Sequence, residues 1–213
     1  MLKPISSQPV PDQPSQKKPS QKKPSQKKPS KADLTKTLIL DTAQQLMLGE
    51  GYAAVTTRRI AKEAGLKPPT VHYHFKTTDD LLLALFRRNL QLERKRVDST
   101  LTQASGLVEL WRAYIDQPQT ALAIEFMGLA NHREAIRKEI TAVTEIERRR
   151  RADLLQSLMN DSMSSSEAGI SGLGLSVVLI GLARTLVLEQ NLGIDVGHAD
   201  TKQFVEQLLQ SLS

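Results

Sequence analysis

Residues 56–75 read Thr56-Thr57-Arg58-Arg59-Ile60-Ala61-Lys62-Glu63-Ala64-Gly65-Leu66-Lys67-Pro68-Pro69-Thr70-Val71-His72-Tyr73-His74-Phe75, two short helical patterns hinged at Ala64-Gly65-Leu66. In the first, Ile60, Ala61 and Ala64 fall on one face, and Thr57 stands where its hydroxyl can accept an otherwise unpaired backbone N–H at the helix start. Gly65 ends that helix, because glycine tolerates the left-handed backbone that lets the next helix leave at a steep angle. In the second, Val71 and Phe75 lie four apart and face inward, which turns Pro69 and Tyr73 outward and sets Thr70, His72 and His74 on the flanks. The spacing predicts a helix-turn-helix whose second helix suits a major groove, where every base pair shows its own pattern of donors, acceptors and methyls.

Helix-turn-helix shapes also occur in proteins that never meet DNA, so charge has to weigh in. Residues 1–31 carry eight Lys and one Asp; residues 32–96 carry eleven Lys and Arg against seven Asp and Glu; residues 97–213 hold ten basic and fifteen acidic side chains. The positive charge therefore lies on the half with the motif. Cations that neutralise phosphates release condensed counterions, so this polarity fits a DNA reader joined to a companion domain of other purpose.

Residues 33–93 resemble the DNA-binding domain of the TetR family of bacterial transcriptional regulators. The resemblance rests on Gly51-Tyr52, Thr56-Thr57, Ile60-Ala61, Ala64-Gly65, Val71-His72-Tyr73-His74-Phe75 and Leu81-Leu82. It implies a three-helix reading head, an all-helical C-terminal domain for effector binding and dimerisation over 97–213, a homodimer, and release from a palindromic operator when a small molecule binds. Carried over by position, the DNA contacts fall on Thr57, Lys67, Pro68, Pro69, Thr70, His72, Tyr73 and His74.

Two departures from the family pattern matter. Lys67-Pro68-Pro69 stands where the family has Ser, a variable residue and Gly. Proline is accepted in the first helical turn, so the helix survives, but any backbone N–H to phosphate bond at 68 or 69 is lost and Lys67 offers a direct charge instead. Thr78 stands where the family commonly has a phosphate-contacting lysine, which moves the expected contact to Lys76. The Thr77-to-Asp80 spacing is that of a capping box. His72 and His74 are two apart and diverge on a helix, with no Cys or carboxylate cluster near, so no metal and no cofactor is expected.

Gln-Lys-Lys-Pro-Ser repeats at 16–20, 21–25 and 26–30. Proline every five residues with almost no apolar side chains cannot build a core, so residues 1–31 read as a disordered basic arm. It is either an inert solubilising leader or an electrostatic tether along DNA. Met1 to Val10 lacks the apolar core of a secretory signal, and the chain has no Cys, in keeping with a reducing bacterial cytoplasm and association with the nucleoid. Membrane spanning is not expected, because the apolar stretch from Leu173 to Val187 is interrupted by Arg184 and sits beside Glu189.

Every other segment has helical periodicity, giving an all-α chain. Helix 1 carries Leu34, Leu38, Ala43, Leu46 and Met47; a helix follows Thr77; further helices are expected at 107–115, 120–130, 135 to about 159, 170–190 and 202–212, the last capped by Asp200 and Gln203. In the helix from Ile170, Leu175, Leu179, Leu182 and Leu186 form one stripe, and Ser171, Gly174, Val178, Gly181 and Thr185 a neighbouring stripe of mostly small residues. The reading is a dimer interface using Gly174, Val178, Gly181, Thr185, Leu208 and Leu212, against a purely internal core helix.

Trp111, Tyr114, Phe126 and Met127 are candidate walls of an effector pocket, although the same spacing serves ordinary core packing. Arg148 to Arg151, with Glu145 and Glu147 close by, read as a solvated, ion-paired surface rather than a phosphate or acyl-CoA site. Enzymatic function fits poorly, for there is no Cys nucleophile, no phosphate-cradling glycine loop and no paired carboxylate and His on one face. A ligand-responsive repressor leads; an architectural DNA-binding protein without effector is the alternative.

Overall fold

Ser30 opens the first helix. Its hydroxyl accepts the Asp33 N–H at 3.2 Å while the Asp33 carboxylate accepts the Ser30 N–H at 3.0 Å, a reciprocal cap that satisfies two orphan donors. The computed structural model describes residues 28, 30–103, 106–115, 118–159 and 169–212. Helix α1 spans Lys31–Glu50, a 3₁₀ turn Tyr52–Ala54, α2 Thr57–Glu63, α3 Pro68–His74 and α4 Thr78–Gln103. Then come α5 Leu107–Ile115, α6 Pro118–Ala130, α7 Glu134–Leu158, α8 Gly172–Asn191 and α9 His198–Leu212. Among the described residues there is no strand, so the chain is all-α as its periodicity requires. Most of the basic arm expected over 1–31 lies outside the described residues; Ser30 and Lys31, at its end, already belong to the capped helix.

The hinge forms as the glycine predicts. Gly65 has φ +64°, and the Leu66 N–H reaches back to the Ala61 carbonyl at 2.8 Å, consuming an acceptor that the helix end would otherwise leave open. One cap differs from expectation. Thr56, not Thr57, holds the extended backbone of an N-cap and accepts the Arg59 N–H at 3.2 Å, so Thr57 is the first residue inside α2. Thr77 and Asp80 do form their box, each accepting the other's backbone N–H at 3.0 Å.

Two apolar cores result. The first joins Ile39, Ala43 and Met47 of α1 to Ile60, Val71, Phe75, Leu81, Leu82 and Leu85, and also to Leu122, Phe126 and Leu129 of α6 and Ile136 of α7. The head therefore shares its interior with the C-terminal half, and a division at 93–97 falls inside the unbroken helix α4. Leu34 and Leu38, expected on the inner face of α1, are 57% and 43% exposed; the buried stripe starts at Ile39. The second core gathers Trp111 and Tyr114 of α5, Leu155 of α7, Leu175, Leu179 and Leu186 of α8, and Val205, Leu209 and Leu212 of α9.

Helix α8 is long and apolar enough to cross a membrane by length and composition alone. One side of it is nonetheless packed within the protomer. Its start presses on α7 so closely that a Cβ on Gly172 would lie 2.3 Å from the Ala152 carbonyl oxygen, and only glycine fits there. Helix α9 begins at His198, four residues before the expected Lys202, and the Asp200–Gln203 box does not form. In its first turn His198 Nε2 lies 2.8 Å from Glu189 Oε2 at the end of α8.

Candidate functional site

Helix α3 presents its outer face as the four-residue spacing demands. Val71 and Phe75 are 0% and 3% exposed, and Tyr73 is 75% exposed. Lys67 is the N-cap, with Pro68 and Pro69 in the first turn and both exposed. Thr70 is half-buried and His72 exposed; the half-buried His74 ring meets Tyr73 edge-on at 5.2 Å, which steadies the tyrosine's direction. Thr57 is half-buried at the start of α2, and Lys76 is exposed in the loop after α3. Lys67 and Lys76 make no ion pair among the described residues, whereas Arg59 is held by Glu50 and Glu63 at 2.8 and 2.9 Å. The unpaired cations flank α3, where backbone phosphates would run if it entered a groove.

The second feature is a cavity of about 60 Å³ between α4, α5, α6, α7 and α8. Three of the four candidate walls line it: Tyr114, Phe126 and Met127. Trp111 does not. It is fully buried in the second core, one helical turn from Tyr114 but turned away from the opening. The cavity's polar groups were not apparent as such in the sequence. Asn89 and Glu93 of α4, Gln119 and Thr120 of α6, Glu147 and Arg151 of α7 and Arg184 of α8 all line it. Arg151, expected on a solvated surface, has a side chain only 12% exposed and an Nη1 3.2 Å from Glu93 Oε1. Glu147 is likewise buried and held by Arg94 Nε at 2.9 Å. Burial pushes the Tyr114 phenol up to about 12, so its hydroxyl stays protonated.

Helix α6 touches both the cavity and the base of the head. Phe126 faces the cavity and the first core, and its neighbour Glu125 accepts the Tyr52 N–H at 3.0 Å, at the turn that closes α1. Tyr52 stacks on His132 just beyond α6, Asp79 at the start of α4 pairs with Arg133, and Arg87 of α4 meets Glu139 of α7 at 2.8 Å. These contacts join the cavity wall to the base of the head.

Residues 39–85 match the family model of bacterial regulatory proteins of the tetR family. This segment of the chain is a head of the TetR type. Among curated relatives, the fatty acid metabolism regulator protein of Bacillus subtilis (strain 168) is 26% identical over 85 residues, 40% of this chain and 44% of the relative. The transcriptional regulator YvkB of the same organism is 38% identical over 55 residues, 26% of this chain and 29% of that one. The chain thus spans less than half the length of either curated relative. The likeness of fold runs further. A transcriptional regulator from Saccharomonospora viridis in complex with choline superposes with a TM-score of 0.68 at 21% identity, over 83% of this chain and 96% of that one. A TetR-family regulator from Cytophaga hutchinsonii gives 0.69 at 12% identity, over 88% and 98%. The helical fold is thus shared well beyond the matched segment.

Of the residues read as a dimer seam, Val178 and Leu208 are 43% and 39% exposed, Gly181 and Thr185 are exposed and Gly174 is half-buried. Leu212 is the exception. It is 2% exposed in the second core, because it shares the inward stripe of Val205 and Leu209, and so is unavailable to a partner. Residues 174, 178, 181, 185, 188 and 192 follow the four-three spacing of one helix face, and Leu188 and Leu192 extend its apolar character at 45% and 68% exposure. Phe204, 64% exposed, adds a large ring from α9.

Proposed function

We propose that two copies of this chain pair through α8 and α9, present two α3 helices to one palindromic operator as a repressor, and let go when a small molecule enters the cavity under α6. The observation that carries this reading is the double placement of α6, whose Phe126 lines the cavity while Glu125 grips the backbone at the base of the head. An effector that moves that helix changes the position of the reading surface, which is the requirement for coupling two sites.

Pairing is supported by the exposed stripe on α8. A glycine in a helix interior costs about 0.5–1 kcal/mol relative to alanine, yet a Cβ at Gly181 would meet nothing within 4 Å inside the protomer. Its smallness serves no internal contact and suits the close approach of a second backbone. Two heads related by a two-fold axis read an inverted repeat, with half-sites about one helical turn (~34–36 Å) or a multiple apart. The DNA contacts in this reading are Thr57, Lys67, Thr70, His72, Tyr73, His74 and Lys76, with Pro68 and Pro69 against the groove wall. The site of action is the bacterial nucleoid.

The cavity favours an effector over a purely architectural role. Tyr114 Oη and Gln119 Oε1 are buried without a hydrogen-bond partner, a cost of about 1–3 kcal/mol each that a bound molecule would relieve. That a regulator of the same fold holds choline is in keeping with a small-molecule site. Selection from random DNA at two salt concentrations tests the whole scheme. An inverted repeat is expected, bound on the order of 10³-fold or more above bulk DNA; a single unrepeated half-site or uniform binding would overturn it.

A further inference from the structure

Two acids and two arginines face the cavity, but they are paired unevenly. Its two acids are already claimed: Glu93 by Arg151 at 3.2 Å, and Glu147 by Arg94 at 2.9 Å with Arg150 at 3.9 Å. Arg184 is left with no hydrogen bond or ion pair among the described residues, although it lies half-buried in the middle of α8 and lines the opening. Burial lowers its pKa first and the neighbouring Arg151 cation lowers it further, with Arg148 adding to the effect and Glu93 opposing it. A guanidinium remains charged under such pressure, so the site carries an uncompensated positive group in a confined space.

Of the three buried polar atoms at the cavity without a partner, two can donate and one, Gln119 Oε1, can only accept. The Tyr114 hydroxyl stays protonated and has no acceptor, and Arg151 Nε is buried without one. Donors thus outnumber acceptors among the unsatisfied groups. Around them Phe86, Leu90, Phe126 and Ile180 supply apolar wall, and Met127, 45% exposed, supplies a flexible edge. At about 60 Å³ the space holds only a handful of non-hydrogen atoms without movement of the walls.

We propose that this cavity takes a small monocarboxylate, its carboxylate against Arg184 and the Tyr114 hydroxyl and its short apolar body against Phe86 and Phe126. The proposal rests on the reading of the cavity as the effector site. A cation has no unclaimed carboxylate to meet and would face Arg184 directly. A neutral isostere would leave the guanidinium unpaired.

Isosteric trios decide the sign of charge on the full chain: butyrate, butyramide and butyramidinium, then benzoate, benzamide and benzamidinium, followed by thermal shift and titration calorimetry. The anion should bind about tenfold or more tightly than the amide. Arg184→Met should bring anion and amide within about twofold of each other. The ligand-free variant should also melt higher than the parent, because an unpaired buried charge has been removed. Arg184→Lys should retain a preference for the anion. If either methionine or lysine variant fails to fold, the trios on the parent chain still determine which charge the cavity prefers. Tighter binding of an amidinium, or an anion preference that survives Arg184→Met, overturns the proposal. An amidinium that binds and releases selected operator DNA would do so while leaving the effector reading intact. If no member of either trio binds a chain that still holds its operator, both readings fall.

Discussion

Gly181→Ala separates a helix that serves one protomer from a helix that serves two. Within one protomer the added methyl meets open space, since no atom lies within 4 Å of a Cβ built there. The substitution should then only help, stabilising the exposed helix interior by about 0.5–1 kcal/mol. In a close-packed pair the same methyl overpacks the seam at a cost of about 1–3 kcal/mol, and the two-fold axis applies it twice. Association would weaken by about 2–6 kcal/mol, or about thirtyfold to twenty-thousandfold in dissociation constant. Sedimentation velocity across a concentration series reads the dissociation constant directly, and operator binding by fluorescence anisotropy should fall in step with dimer. A variant that melts higher and dimerises as before would refute the assignment of α8 to the seam.

Three further outcomes follow from the head and its link to the cavity. Tyr73→Ala should cost about 1–3 kcal/mol at a subset of base positions in a binding matrix, whereas Lys67→Ala should weaken all sequences alike and lower the salt slope by about one; the reverse pattern would exchange their roles. Glu125→Gln replaces a charge-assisted acceptor of the Tyr52 N–H with a neutral one, which is worth about 1 kcal/mol. The ratio of operator affinities without and with bound carboxylate should shrink by about fivefold, and an unchanged ratio removes α6 as the link. Deleting residues 1–29, which carry the Gln-Lys-Lys-Pro-Ser repeats and leave the Ser30 cap in place, should lower DNA affinity mainly at low salt with sequence preference unchanged. Equal affinity at every salt would make the segment a passive leader.

The head could be read from its residues because its determinants are local. Val71 and Phe75 had one face available to them, Gly65 one backbone to adopt, and Thr77 and Asp80 one way to pair; the structure has all three. Thr56 and Thr57 were equally equipped to cap, and it is Thr56 that holds the extended backbone. The cavity resisted because it depends on where separate helices cross. Trp111 and Tyr114 differ by one turn, yet of the two it is Tyr114 that borders the space between α4, α6 and α7. Arg151 is one of four consecutive arginines, and nothing within that run says which of them is turned inward. Arg184 read as an obstacle to membrane crossing; its proper context, α7 and α4, is remote in sequence. The start of α9 also differs from its reading, with His198 in the first turn meeting Glu189 across the preceding turn.

The interior shared by head and body has a consequence for any attempt to exchange parts among regulators. Leu122, Phe126 and Leu129 fill the space beneath α1 and α4, so a head cut out near residue 93 leaves behind three of the side chains that close it from below. A chimera that retargets this body to a new promoter has to be spliced along that apolar seam, with the recipient's α6 recut to match the donor's α1. Specificity for sequence is portable here only together with the floor on which it stands.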